Sequence, residues 1–360
     1  MPAPTGIGVY TRSLLLELAR RGNLDLLGLA HREPQHADEL RAAGIRVEHQ
    51  PAPFGVIWQQ LVLPRRLARG DADLLWSPIN ILPARLPVPG VVTIHDLTAI
   101  LMPEAHHAKV RWSVLPFIRP TLEHAGAVVA ISESTAADLR FHFPQTVGKL
   151  RVVHNGIDPD FVPGGPGEVE ATRAELGAPA GYLLYAGTLE PRKGIDVLLE
   201  AWQAARRDDP ATPPLVLAGP YGWHSDGLLR ALERLASAGA RYLGRVERPH
   251  LVRLMQAARL FVYPSQYEGF GLPPAESLAC GVPVVACRSS SLPEVVGDAG
   301  LLVEPNDAPA LAAAIRHLLA DSALEADLRA RALPQAARFT WPRAAAEMEQ
   351  IFLDVYERSR

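Results

Sequence analysis

The chain has only two cysteines in 360 residues, Cys280 and Cys287, too few for a disulfide framework and without the paired spacing of a zinc site. It has no apolar run near the ~20 residues that a membrane-spanning helix needs. The first fifteen residues lack the basic, apolar and cleavage order of a secretory signal, so a reducing, cytoplasmic setting is expected. Net charge is nearly absent as well: a formal −3 over this length produces no field that favours nucleic acid. No internal repeat or low-complexity tract is evident. One further absence is local. The opening Gly6-Ile7-Gly8 followed by Val9-Tyr10-Thr11-Arg12-Ser13-Leu14-Leu15-Leu16 reads as a phosphate-type turn and its helix, yet only five residues, two of them proline, stand where the preceding strand should be.

What is present is α/β patterning from end to end. Short β-branched or Leu-rich runs alternate with longer helical periods, the signature of parallel sheets with crossover helices. Strands are expected at 24–29, 46–48, 74–77, 91–95, 127–132 and 150–154, with a capped helix starting at Thr135. Residues 158–168, DPDFVPGGPGE, break all periodicity and read as a linker. The pattern then restarts at 182–186, 215–218, 240–243, 260–263, 282–287 and 301–303. This predicts two doubly wound, Rossmann-like domains, 1–160 and 161–341, facing across a cleft at the carboxyl ends of their strands, with the amphipathic segment 342–360 returning to the first.

Three stretches carry chemistry. In YPSQYEGFGLPPAESLACGVPVVAC, residues 263–287, a strand leads into a loop with Glu268, Gly269, Phe270, Gly271 and Leu272, and a helix opens on Pro273-Pro274. Seven residues separate Glu268 from Glu276, which places one carboxylate before the helix and one in its first turns. A carboxylate there suits vicinal hydroxyls, and the glycines let backbone N–H groups approach a ligand; the plainer reading is a helix start that favours glutamate. In YLLYAGTLEPRKGIDVLLEAW, residues 182–202, a strand and a turn at Gly187 precede Arg192-Lys193 and a helix from about Ile195, a setting for a diphosphate or for two solvated cations. In VVTIHDLT, residues 91–98, a buried strand ends in His95-Asp96, where the histidine either serves a reaction or sits satisfied in a core. The triplets Asp71-Ala72-Asp73 and Asp158-Pro159-Asp160, and the pair His106-His107, lack the further ligands of a metal site.

Together these stretches resemble the retaining GT-B nucleotide-sugar glycosyltransferases of family 4. The likeness spans nearly the whole chain and rests most on Glu268 with Glu276, on SSSLPEVVGDAGLLVEPND at 289–307, on TLEPRKG and TIHDL, and on the opening TGIGVYTRSLL, which look like bacterial mannosyltransferase-like members that build surface polysaccharide. The resemblance implies that Arg192 and Lys193 hold the donor diphosphate, that Glu276 binds the ribose, and that Glu268 with the backbone of Gly269, Phe270 and Gly271 contacts the transferred sugar. It implies that Gly6 and Gly8 face the phosphates and that His95 and Asp96 lie near the reacting centre. The donor site is taken to include Gly187, Leu272 and Val246, the last in a loop near the base. The implied reaction moves mannose or another hexose, as from GDP-mannose, to a glycan or lipid-linked acceptor with retention, using neither metal nor cofactor. The mixed apolar and basic residues 102–120 are a candidate contact with an anionic membrane, which would place the enzyme at its inner face.

Other readings remain at this stage. A sugar-nucleotide epimerase or a phosphorylase shares the two-domain shape, and a non-catalytic subunit could keep the fold. A nicotinamide enzyme fits less well, because Thr11 stands where the third glycine would be. Inverting transfer with His95 as base is a further alternative. Members of the family have a strand before the glycine turn; its absence is read as a misplaced start or a truncation.

Overall fold

In a computed structural model, which describes residues 6–103, 108–222 and 226–360, the chain forms two compact units. One comprises residues up to Gly156 together with Thr340–Arg360, and the other Ile157–Phe339.

The second unit is built on six parallel strands: β7 (Leu183–Ala186), β8 (Leu215–Ala218), β9 (Ala240–Tyr242), β10 (Leu260–Tyr263), β11 (Val284–Cys287) and β12 (Gly300–Val303). They lie in the order β12-β11-β10-β7-β8-β9. Central strands such as LVLA and LFVY are apolar at every position, as strands covered by helices on both faces must be, and all their residues are buried. Helix Ile195–Asp208 lays Leu198, Leu199 and Trp202 on this core, and the Trp202 indole N–H, fully buried, donates to the Pro213 carbonyl at 2.9 Å.

The first unit holds β1 (Leu27–Ala30) paired with β2 (Arg46–His49), and a separate parallel sheet of β3 (Leu75–Ser77), β4 (Gly90–Ile94), β5 (Ala127–Ala130) and β6 (Leu150–Val152) in that order. Alternate residues of β4 face opposite sides. Val92 and Ile94 pack with Ile81, Leu82 and Leu122, while the Thr93 hydroxyl meets Tyr10 and Trp76. Helix Trp341–Arg358 packs on helix Gly6–Arg21, where the Arg21 guanidinium grips Glu349 at 2.8 and 3.2 Å.

Three local expectations change. Gly6, Ile7 and Gly8 form the first turn of the opening helix rather than a turn ahead of it, since no steric demand at Gly6 prevents helical geometry. The helix expected from Thr135 starts at Glu133, because the Ser132 hydroxyl accepts the Thr135 N–H at 3.0 Å and so caps it. The stretch 158–168 is not all linker: a helix, Pro166–Leu176, begins inside it on a proline whose missing N–H costs nothing in a first turn. His106-His107 and part of 102–120 lie outside the described residues. Among the described residues no helix is long and apolar enough to cross a membrane.

Candidate active site in the second unit

From β7 the chain winds outward through β8 and β9, then returns to place β10 against the other side of β7 and winds the opposite way. The loops leaving β7 and β10 therefore diverge at a topological switch point, where open parallel sheets bind their ligands. One loop carries Arg192 and Lys193, the other Glu268. Residues 75 apart in sequence meet because their strands are neighbours.

Glycine sets the fit between these loops. Pro191–Lys193 is a 3-10 turn closed by Gly194 at φ 64°, a left-handed value, and a Cβ there would stand 2.3 Å from the Pro264 carbonyl oxygen. The Gln266 N–H then donates to the Arg192 carbonyl at 2.9 Å, so the turn is pinned to the loop beyond β10. A second glycine, Gly271 at φ 99°, is the N-cap of helix Leu272–Ala279.

Within this frame the side chains form one charged cluster. The Lys193 ammonium donates to Glu268 Oε1 and, at 3.0 Å, to the Tyr263 hydroxyl, which itself donates to Glu268 Oε1 at 2.9 Å. Arg192 donates to the Tyr267 carbonyl and to Glu190 at 2.6 Å, and its Nη1 stands 3.8 Å from Glu268 Oε2. Burial pushes the Glu268 carboxyl upward, but Lys193 and Arg192 outweigh it and hold the group below the usual glutamate range. Burial first, then the charge of Glu268, raises Tyr263 and Tyr185 well above ordinary tyrosine, so Tyr263 keeps the proton it donates. Lys193 and Glu268 are each 8% exposed, so the basic pair is not the solvated surface feature that adjacency alone would suggest.

Three serines support the loop from outside. Ser290 Oγ accepts the Glu268 N–H at 2.7 Å, Ser291 Oγ donates to the carbonyls of Glu268 and Phe270 at 3.0 and 2.7 Å, and Ser289 Oγ donates to the Ser265 carbonyl at 2.8 Å. These serines were legible only as part of a longer likeness. Tyr263 and Glu190 were missed, although the alternation of β10 placed Tyr263 at a strand end, where functional groups collect.

Glu276 stands apart from this cluster. It is 9% exposed, on the helix that Gly271 caps, and the charges acting on it are Arg248 and Asp158. Burial raises its pKa to about 7; Arg248 offsets part of that and Asp158 adds to it. Asp158 pairs with Arg248 and its Oδ1 accepts the Asp160 N–H at 3.0 Å, so this triplet serves the backbone and an arginine. Asp71 likewise pairs with Arg66, at 2.6 and 2.8 Å.

The remaining expected residues are placed as follows. Phe270 turns its ring inward, edge to face with Phe339 at 5.3 Å, and the residue as a whole is buried. Leu272 opens the helix. Gly187 ends β7, its N–H donating to the Ala218 carbonyl at 2.9 Å. Val246 packs, half-buried, against the core near the end of β9 and has no bond to the charged cluster. Gly6, Gly8, His95 and Asp96 belong to the first unit.

His95 follows β4, 7% exposed, with Nε2 on the Pro78 carbonyl at 2.7 Å and its ring edge to face with Tyr10 at 4.9 Å. That contact assigns the ring proton to Nε2, and burial lowers the pKa, so the imidazole is neutral near pH 7. Asp96 Oδ1 accepts the Thr98 N–H at 2.9 Å and the Thr98 hydroxyl, which spends this oxygen on a short helix start. Among the described residues no group of three or more His, Cys, Asp or Glu is arranged to hold a metal.

Comparison with known proteins identifies the family and the fold. Residues 169–335 match the family model of glycosyl transferases group 1, and residues 4–161 that of glycosyltransferase family 4. The chain is 35% identical over 355 residues to the O-antigen chain mannosyltransferase B of Escherichia coli, covering 94% of this chain and 93% of that one. The structure of HepE from Anabaena in complex with UDP and glucose superposes with a TM-score of 0.76 at 22% identity, over 98% and 97% of the two chains. WaaG, a glycosyltransferase involved in lipopolysaccharide biosynthesis, superposes at 0.75 with 19% identity, over 97% and 96%.

Proposed function

We propose a specific sugar transfer for this chain, which belongs to glycosyltransferase family 4, has the two Rossmann-like domains of the GT-B fold and is a hexosyltransferase. It moves mannose, from GDP-mannose, onto a growing glycan or lipid-linked acceptor, with retention of anomeric configuration and without a metal. The observation that carries the reading is the cluster of buried Lys193 and Glu268 with half-buried Arg192 at the β7/β10 switch point.

The chemistry follows from charge. When the bond from the anomeric carbon to the diphosphate oxygen breaks, negative charge builds on the diphosphate, and fixed cations that need no reorganisation stabilise that state. Lys193 and Arg192 supply two such cations. Glu268 and Tyr263 hold the ammonium in one position, and Tyr267 and Glu190 hold the guanidinium. The dipole of helix Leu272–Ala279 adds to these cations, with Leu272 the one N–H donor among its first three residues, since Pro273 and Pro274 have none. Glu276 then takes the ribose hydroxyls, and His95, neutral with its proton on Nε2, assists on the acceptor side. Mannose is favoured by the 35% identity to an O-antigen mannosyltransferase.

The test incubates the protein with GDP-mannose, UDP-glucose and other sugar nucleotides, with and without a mannose-terminated acceptor, and follows diphosphate-nucleotide release in EDTA. Release from GDP-mannose that requires acceptor and survives EDTA, with the donor's anomer kept in the product by NMR, is the expected result. Release dependent on a divalent ion, or an inverted anomer, overturns those parts of the reading. Binding without release in every combination indicates a non-catalytic subunit.

A further inference from the structure

Among the described residues only two that are not glycine take a left-handed backbone, Ser290 at φ 44° and Asn306 at φ 62°. An L-residue in that conformation crowds its Cβ against the following carbonyl oxygen. Asparagine offsets part of the crowding by local hydrogen bonding, and serine does so more weakly. The two lie on separate connections, Ser290 after β11 and Asn306 after β12. Both side chains nevertheless end on one loop, the segment beyond β10 that carries Glu268.

At Ser290 the strain has a geometric use. Side chains of an extended segment alternate, so the middle one of three successive residues faces away from the other two. The left-handed turn breaks that alternation, and Ser289, Ser290 and Ser291 all bond to the loop. Ser290 Oγ accepts the Glu268 N–H at 2.7 Å, while Ser289 and Ser291 donate to the carbonyls of Ser265, Glu268 and Phe270. Glycine would give the same turn without an acceptor for the N–H of buried Glu268. At Asn306 the plain alternative is a turn into helix Ala308–Ala320. Asp307 already caps that helix through the Ala310 N–H at 2.8 Å, so the turn has no need of the Asn306 amide. Its Oδ1 instead accepts from the Gln266 side chain at 2.8 Å. The Gln266 N–H donates to the Arg192 carbonyl at 2.9 Å, which passes the hold on to the β7 loop.

We propose that Ser290 and Asn306 are positioning residues for the transfer reaction. Their left-handed backbones aim two side chains at the 265–268 loop and so fix the Glu268 carboxylate and the Arg192 turn where the departing diphosphate needs them. The inference rests on Arg192, Lys193 and Glu268 being the donor site. Both residues act through backbone groups and Gln266 rather than through the charged side chains. Cations aimed at charge that develops only as the bond breaks serve the transition state, so a loosened loop lowers kcat and leaves the donor KM nearly unchanged. Stability separates from this effect. Glycine at either position removes the backbone strain but adds freedom to the unfolded chain, and the two changes oppose each other.

The test compares the full chain with Ser290→Gly, Asn306→Gly and the double variant, using Asn306→Asp as the conservative control and Arg192→Ala as the reference for the site. Turnover is measured with GDP-mannose and the other sugar nucleotides, with a mannose-terminated acceptor. We expect the Tm of the glycine variants to stay within about 3 °C of wild type, and the amides of Gln266 and Glu268 to exchange faster. We expect kcat to fall roughly threefold in each single variant and roughly tenfold in the double, with the donor KM within about twofold of wild type. Asn306→Asp keeps an acceptor oxygen and tolerates the left-handed backbone, so it should retain the wild-type kcat. A double glycine variant with wild-type kcat, beside an impaired Arg192→Ala, overturns the proposal alone. A loss of kcat that comes only with a larger fall in Tm overturns it as well, because the two residues then serve folding. If Arg192→Ala is as active as wild type, or wild type itself transfers no sugar, the donor-site reading fails and the proposal falls with it.

Discussion

Glu268 and Glu276 lie on either side of Gly271, are buried to nearly the same extent, and are driven in opposite directions. Glu268 has two cations and a tyrosine proton around it and is held ionised; Glu276 has Arg248 at its side, an opposing Asp158, and a pKa raised to about 7. Equal burial therefore does not mean equal chemistry. What separates the two is which loop faces each side chain: the β7 loop brings Lys193 and Arg192 to one, and none of its residues is among the charges acting on the other. One carboxylate is held ionised by the cations beside it, and the other has its pKa raised to about 7 by burial.

The contrast is open to experiment. The largest effect is expected from Lys193→Ala, which strands a buried carboxylate. Urea unfolding should show a loss of about 3–5 kcal/mol, whereas the double variant with Glu268→Gln should recover much of it. A loss below about 1 kcal/mol would mean that water, rather than Lys193, solvates Glu268. Next is Arg192→Ala. Its side chain is more exposed than that of Lys193, and its bonds to Glu190 and to a carbonyl matter less to folding, so the loss should fall on turnover, by about 2.7–4 kcal/mol of barrier, with Tm little changed. Steady-state rates near wild type would remove Arg192 from the reaction.

Glu276→Gln probes the other member of the pair through pH. A carboxyl whose folded pKa is raised favours folding at low pH, and this stability is lost as pH rises from about 4.5 toward about 7. The variant should therefore match wild type near pH 4 and exceed its stability by a few kcal/mol above pH 7, while KM for the donor rises. Glu268 has the opposite sign: its contribution is present above the ordinary glutamate pKa and is lost as pH falls through its lowered value. Parallel pH-stability curves for Glu276→Gln and wild type would refute the assignment. The smallest effect is expected from Ser290→Ala, which removes the acceptor of the Glu268 N–H: about 1 kcal/mol by thermal unfolding, with a modest loss of kcat.

Much of the fold was legible along the chain. Every expected strand is present within a few residues, because an interior parallel strand must be apolar at consecutive positions, as in LVLA and LFVY, and leaves a pattern that turns and helices do not imitate. The ends of elements were less legible. A serine hydroxyl at 132 competes with the pattern at Thr135, and Gly6 enters a helix that composition alone places later. At the site the charged residues could be named but not paired. Lys193 and Glu268 are distant in sequence, and their salt bridge depends on β10 returning beside β7. Tyr263 was hidden for the same reason: only its partners distinguish it from a core aromatic.

The order of residues by itself determined two α/β units, their strands and the identities of the ionisable groups, since hydrophobic period and side-chain chemistry are local properties. Only the tertiary structure decided that Glu268 is held ionised while burial raises the Glu276 pKa to about 7, and that His95 is buried with its proton on Nε2. Burial, pairing and hydrogen bonding depend on which segments become neighbours, and that is decided when the sheets assemble.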